Sequence, residues 1–290
     1  MAALNTFALG WRLSALRALR RIGGRWNGEP GVARRSLDEE SELEASSAES
    51  RDVEGMRHII KNLIRPIPVV YITRFNIAVR FGQQPQRSVH LDPVWLEERI
   101  ALFERYCLPK MAAQSDPRFR WLILVSPETD NTIVERLLRA PNSEVIPVAP
   151  NTALGPLVAS RVAKMGDSII TSRIDSDDQL SATFTQALRE IRWNGRRRFA
   201  TYFTRGLYLD AHSGIYRAFR FPLNQYPAVF EHSPAREFVT VHAHSHNRLH
   251  KLMDADLLKT KRPMWCTVVH GGNVLNQMRG RPTKAPPEDW

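Results

Sequence analysis

The sequence predicts an α/β protein, a mainly parallel sheet flanked by helices and continued by a more mixed half within the same domain. Three observations carry this expectation. Runs such as Val69-Val70-Tyr71-Ile72, Trp121-Leu122-Ile123-Leu124-Val125 and Ile169-Ile170 lack the polar alternation of a half-exposed strand, as strands buried on both faces require. These runs alternate with stretches of helical spacing, the pattern of a sheet covered by helices. Beyond about Arg198 the helical spacing gives way to short apolar runs separated by turns, which points to a partly antiparallel continuation.

Taken in order, Pro68 to Phe75 reads as the first strand. Asp92 to Ala113 reads as a long helix, with Trp95, Ile100, Phe103 and Cys107 near helical spacing. Asp92 suits the N-cap and Pro93 the first turn. Arg120 to Val125 is a strand, Asn131 to Arg139 a helix, Glu144 to Val148 a short strand and Leu154 to Met165 a helix. Asp167 to Ile174 is a buried strand, followed by a helix from Gln179 to Arg192. Further strands are expected at Arg198 to Leu209, Gly214 to Phe221, Phe238 to Ala243 and Thr267 to His270, with a short helix near Asp254. No internal repeat and no membrane-spanning stretch is present.

The chain has 290 residues, 43% of them hydrophobic and 24% charged, ordinary values for a protein with a sizeable core. The formal net charge is +11. Residues 1–58 hold nine basic and nine acidic side chains, so the whole excess belongs to the remainder. A basic domain suits an anionic partner: nucleic acid, nucleotide phosphates or an anionic membrane surface. The two cysteines, Cys107 and Cys266, show no ligand spacing. They read as free core thiols of a reducing cytosol rather than a disulfide.

Residues 1–58 are expected to form an N-terminal extension and residues 59–290 the domain. Met1 to Gly28 carries five arginines and no acid, a rough amphipathic pattern of the kind that lies on anionic membranes; an irregular extension is the other reading. Ser36 to Glu54 is rich in Glu, Ser and Ala, the composition of a disordered linker. The expected location is cytoplasmic, with peripheral contact at the inner face of the membrane through the first segment.

The chemistry sits at Asp175-Ser176-Asp177-Asp178, directly after the buried run ending at Ile174. Ligands of open α/β sheets bind beyond the carboxyl ends of the strands. Three carboxylates in four residues repel one another unless a cation compensates them. Mg2+ or Mn2+ takes oxygen ligands and keeps positions free for substrate phosphates. Arg173, just before, would help to hold such phosphates. The bland reading gives one aspartate, Asp178 above all, the N-cap of the helix expected from Gln179. A second constellation, Val269-His270-Gly271-Gly272-Asn273, delivers a histidine into a glycine pair. His270 suits a metal or phosphate contact, although a histidine at a strand end is often structural.

At these stretches the sequence resembles the bacterial rhamnosyltransferases, glycosyltransferases of the GT-A type. The residues that carry the resemblance are Thr73-Arg74-Phe75-Asn76, Trp95-Leu96-Glu97-Glu98-Arg99, Phe103 to Pro109, Phe119 to Leu122, Thr171 to Asp178 and His270 to Val274. The resemblance spans Val69 to Asn276 and implies a GT-A-like fold, a nucleotide-diphosphate-sugar donor and a glycan or lipid-linked acceptor, as in cell-surface polysaccharide assembly. It puts Asp175 toward the nucleotide sugar, Asp177 and Asp178 on the metal with His270, and Thr73 and Arg74 in the nucleotide pocket. Glu231 stands where the family carries an acidic residue, the expected base for an inverting transfer. His242, His244 and His246 compete for that role, but an alternating row of this kind suits a solvent-facing strand edge.

Two other classes fit less well. A nucleic-acid-binding protein would leave three aspartates without a role, and no basic-aromatic binding motif occurs. A phosphohydrolase would want its nucleophilic aspartate after the first strand, where Thr73-Arg74 stands. No G-x-x-x-x-G-K phosphate loop is present.

Overall fold

The computed structural model describes residues 66–77, 89–271, 278–287 and 290. The Arg-rich segment and acidic linker expected within residues 1–58 lie outside the described residues, as do Gly272, Asn273 and Val274. The first apolar run forms β1 (Val69–Arg74). Asp92 accepts the Trp95 amide at 2.9 Å and so caps α1 (Pro93–Leu102), with proline at the position where its missing N–H costs nothing. The helix widens into a π turn at Phe103–Cys107 before α2 (Leu108–Ala112). Pro109 has no amide hydrogen for the helical ladder, and the wider turn accommodates that loss.

The chain continues through β2 (Phe119–Val125), α3 (Asn131–Leu137), β3 (Ser143–Pro147), α4 (Leu154–Val162) and β4 (Ser168–Arg173). The expected helix from Gln179 is corrected: Gln179–Leu180 is a two-residue strand, β5, and α5 spans only Phe184–Arg189. Arg198 to Leu209 is not one strand but two, β6 (Arg198–Phe203) and β7 (Arg205–Asp210). The remaining strands are β8 (Tyr216–Arg220), β9 (Ala228–His232), β10 (Ala255–Leu258), β11 (Trp265–Val269) and β12 (Arg281–Thr283). The strand expected at Phe238 to Ala243 is an irregular segment, and the short helix lies at His246–Lys251, ahead of Asp254.

Seven strands form one sheet in the order β10-β6-β9-β4-β1-β2-β3. β1, β2, β3 and β4 are parallel neighbours, β9 runs antiparallel to both β4 and β6, and β10 is parallel to β6. Both faces are covered. Val69, Tyr71, Trp121 and Ile123 pack under α1 and the π turn on one face, while Val70, Ile72, Leu122 and Leu124 meet Val158 and Val162 of α4 on the other. This explains the unbroken apolar runs.

At Thr204 the chain leaves the first sheet for a second, ordered β12-β8-β7-β11-β5. Gly206 permits the crossing, because a Cβ there would stand 2.1 Å from the Trp265 ring. With only hydrogen at that position, the indole lies on the backbone and stacks on Tyr226 at 5.2 Å between centroids. Cys107 and Cys266 are both free and buried.

Candidate active site

The sheet order reverses between β1 and β4, since β2 and β3 extend on one side of β1 and β4 lies on the other. A crevice opens beyond the carboxyl ends of strands at such a switch point. Arg74 ends β1, Arg173 ends β4 and the aspartates follow directly.

Thr73 differs from the expectation that it lines a nucleotide pocket. It is fully buried, its hydroxyl receives the Trp121 indole N–H at 2.8 Å and donates to the Ile174 carbonyl at 2.9 Å. Thr73 therefore fixes where β4 ends, and Arg74 is the side chain that reaches the crevice.

The turn from Asp175 to Asp178 is closed by the Asp178 amide on the Asp175 carbonyl at 3.1 Å, and it sends its three carboxylates to different partners. Asp175 faces the Arg173 guanidinium at 3.2 Å and the Arg74 guanidinium at 3.8 Å. Burial pushes its carboxyl up, but Arg173, Arg74 and Arg99 outweigh that and hold it well below the usual carboxylate range. Asp177 accepts from His270 Nε2 at 2.8 Å and Arg99 at 3.2 Å, all on one oxygen.

Asp178 is fully buried. Its Oδ1 accepts the Val268 amide at 2.9 Å and its Oδ2 the Tyr226 hydroxyl at 2.7 Å. Burial, then the charges of Asp177 and Asp175, push its carboxyl well up. With both oxygens engaged by these hydrogen bonds, Asp178 ties the turn to β11. Asp178 does not cap a helix, because α5 starts at Phe184, six residues later, with Thr183 at its N-cap.

Among the described residues no group of three or more His, Cys, Asp and Glu side chains gathers around one point. The Asp177–His270 pair nevertheless has the donor chemistry of a shared site: one carboxylate and one imidazole, a mixed set that suits Mn2+ better than the oxygen-preferring Mg2+, with the other positions left to substrate oxygens and water. The chain fits a metal held jointly with a phosphorylated ligand.

Glu231 requires a correction. In the β4–β9 register it lies opposite Ile169, four residues before the end of β4 at Arg173, which is about 13 Å of strand. It is 1% exposed, and its oxygens accept from Arg198 Nε and from the Val239 and Thr240 amides, all at 2.8 Å. Buried and fully engaged in this way, it anchors the loop after β9, away from the carboxyl end of β4 where the base was expected to act.

A family model described as "Putative rhamnosyl transferase" matches residues 69–282. The chain belongs to this family of glycosyltransferases. No curated protein matches it by sequence. Among solved structures, the transferase is similar to Staphylococcus aureus TarS 1-349 in complex with UDP, at 12% identity and a TM-score of 0.40, covering 70% of this chain and 61% of that one. It is also similar to the mannosyltransferase PcManGT from Pyrobaculum calidifontis in complex with GDP-Man and Mn2+, at 12% identity and a TM-score of 0.32, covering 76% of this chain and 51% of that one. This chain therefore matches less than two thirds of either length.

Sequence reasoning missed three features of the transferase's site. Arg99, in α1, reaches Asp177 across 78 residues of chain; its Glu-Glu-Arg setting gave no sign of a partner so distant. Tyr226, just before β9, donates to Asp178, and Thr267 of β11 pairs with the same Tyr226 hydroxyl. The histidines are the third. His244 is exposed, but His242 and His246 are partly buried, and the charges acting on both are Arg173, Arg74 and Asp175. The alternating row is thus not a strand edge in solvent. Among the described residues no helix is long and apolar enough to cross a membrane.

Proposed function

We propose that this glycosyltransferase moves a sugar from a nucleotide-diphosphate-sugar to a hydroxyl of a glycan or lipid-linked acceptor, with a divalent cation. The observation that supports this reading best is the carboxyl end of β4. There three guanidiniums, those of Arg74, Arg99 and Arg173, gather on the turn that carries Asp175 and Asp177. Guanidiniums grouped at a switch point favour a polyanionic ligand, and a diphosphate is one.

In this reading Arg74 and Arg173 orient the diphosphate and Asp175 meets the nucleotide's hydroxyls. Mg2+ or Mn2+ held by Asp177 and His270 would offset the charge that grows on the leaving diphosphate. The family description makes rhamnose the first donor sugar to test. The Arg-rich first segment supports peripheral contact with a membrane that carries the acceptor, and residues 59–290 remain the proposed catalytic unit.

A thermal-shift panel of UDP, GDP, dTDP and CDP, each with and without Mn2+, tests the reading. A ligand that binds only the native state adds about 2.7 kcal/mol at a hundredfold excess over its dissociation constant. At least one nucleotide should give a shift that needs the metal. Asp177→Ala should remove the metal dependence, and deletion of residues 1–54 should leave it. A flat panel for the wild-type protein sinks the donor and metal assignments together.

A further inference from the structure

The segment after β9 is held in place from three points. The Val239 and Thr240 amides donate to Glu231, and the next amide, Val241, donates to the Thr171 hydroxyl at 2.9 Å. Three consecutive backbone groups are thus fixed by buried side chains of β9 and β4. In the middle of them Thr240 adopts a φ of +66°, a left-handed conformation that β-branched residues rarely take. Thr240 is fully buried, and its own hydroxyl finds no partner among the described residues. Such strain persists only where the surroundings over-determine it, and it concentrates at functional sites.

The residue this bend presents is His242. Its Nε2 is shielded from solvent and has no hydrogen-bond partner among the described residues, and the same is true of Arg173 Nε and Arg99 Nε. Unsatisfied buried polar atoms are few in native proteins, and each calls for a reason. Here three of them come from α1, the end of β4 and the segment after β9, and Arg99 and Arg173 both pair with the Asp175–Asp178 turn. The Val241 bond to Thr171 puts His242 alongside the last residues of β4, where Arg173 stands; Arg173, Arg74 and Asp175 act on its ring, and the side chains of Arg74 and Asp175 keep 24% and 30% of their surface exposed. The cluster opens to solvent on that side. What it lacks is an acceptor oxygen, and the two guanidiniums around one carboxylate select an anionic one.

We propose that His242 is a donor-contacting residue, giving its Nε2–H to a phosphate oxygen of the nucleotide diphosphate beside Arg74 and Arg173, and that Glu231 and Thr171 are positioning residues that set it there through the backbone of residues 239–241. The proposal rests on the donor-site reading above. It gives Glu231 a part in binding without bringing it near the substrate, and it accounts for the strain at Thr240, which aims the imidazole.

Isothermal titration of the full chain tests it, with UDP, GDP, dTDP and CDP in Mn2+ and with inorganic pyrophosphate in Mg2+. His242→Ala should weaken the binding of the nucleotide that the wild type takes by about tenfold, equivalent to about 1.4 kcal/mol, and pyrophosphate by a similar factor. His242→Gln, whose amide can donate in place of the ring, should recover most of the loss. Glu231→Gln sets an N–H against the amides it should accept and should weaken binding as well. In the Glu231→Gln/His242→Ala double variant, however, the losses should not add, because a positioning residue has nothing left to position.

A wild-type affinity retained within twofold by a folded His242→Ala protein overturns the proposal and leaves the donor site standing. Additive losses in the double variant overturn the positioning part; should Glu231→Gln not fold, Thr171→Val takes its place in the same cycle. A wild-type protein that binds neither nucleotide nor pyrophosphate sinks the donor-site reading itself, and the proposal with it.

Discussion

The two ends of β4 use the same kinds of side chain to opposite effect. At the amino end each charged group has its complement. Glu231 takes Arg198 and two backbone amides, Asp167 takes Arg236 at 3.0 Å, and Ser168 pairs with His232 at 2.9 Å. At the carboxyl end the pairing does not close: among the described residues Arg99 and Arg173 each keep an unpartnered buried Nε and His242 an unpartnered buried Nε2, and burial pushes the Asp178 carboxyl up. Arg, Asp, Glu and His do not mark a site by their presence. The end where donors are left over is the end proposed above to take the donor's phosphates.

This comparison makes removal of charge costly for stability at the closed end and costly for binding at the open one. The largest effect on stability is expected for Glu231→Ala. Arg198 is 38% exposed and can turn to water, but the Val239 and Thr240 amides cannot, at about 1–3 kcal/mol for each buried orphan. A loss of about 3 kcal/mol, read as a fall of roughly 10 °C in melting temperature, is expected by calorimetry. A melting point within a degree or two of wild type would break the contrast.

Asp178→Ala comes next, at about 2 kcal/mol, since it strands the Val268 amide and the Tyr226 hydroxyl. Asp178→Asn should cost less than about 1 kcal/mol, because its amide supplies one acceptor and one donor to the same two partners without a charge to bury. If Asn were as damaging as Ala in urea unfolding, the Asp178 charge rather than its hydrogen bonds would be what holds the turn.

Arg74→Ala should change stability by less than about 1 kcal/mol, the range of partly exposed ion pairs, yet weaken nucleotide binding at least tenfold in titration. Loss of both together would mean that the open end is as structural as the closed one.

The smallest effect lies in pH. Burial, then Arg173, lower the His246 pKa to about 4, with Asp175 opposing and Arg74 assisting. A histidine kept neutral in the fold stabilises it above its ordinary pKa near 6.5, and this contribution fades as pH falls from there to about 4. Urea midpoints measured from pH 7 to 4 should therefore decline less steeply for His246→Asn than for wild type.

The parallel part of the fold was legible because its strands are buried on both faces and announce themselves as apolar runs: β1, β2, β3 and β4 lie within a residue or two of expectation. The later part was not, for local reasons. β9 is a five-residue strand that carries Glu231 inward, so its carboxylate disguises a central strand. Gln179–Leu180 reads as a helix start, but pairs with Trp265 and Cys266, far away in the chain. At the site, Arg74, Arg173, Asp175, Asp177 and His270 were named from the sequence, and the fold brings them together. Roles that depend on a neighbour's hydrogen bond, such as those of Thr73, Asp178, Glu231 and His242, cannot be read from a one-dimensional pattern.

One consequence concerns how the chain assembles during synthesis. β9 is the lone reversed strand, and it sits between β4 and β6 in the middle of the larger sheet. Until residues 228–232 have been made, the four strands completed first present the bare edge of β4, a row of unpaired amides and carbonyls open to any extended segment nearby. The sheet is thus finished by an insertion rather than by growth at its rim, and a nascent or truncated transferase ending before that point would be the form that needs a chaperone.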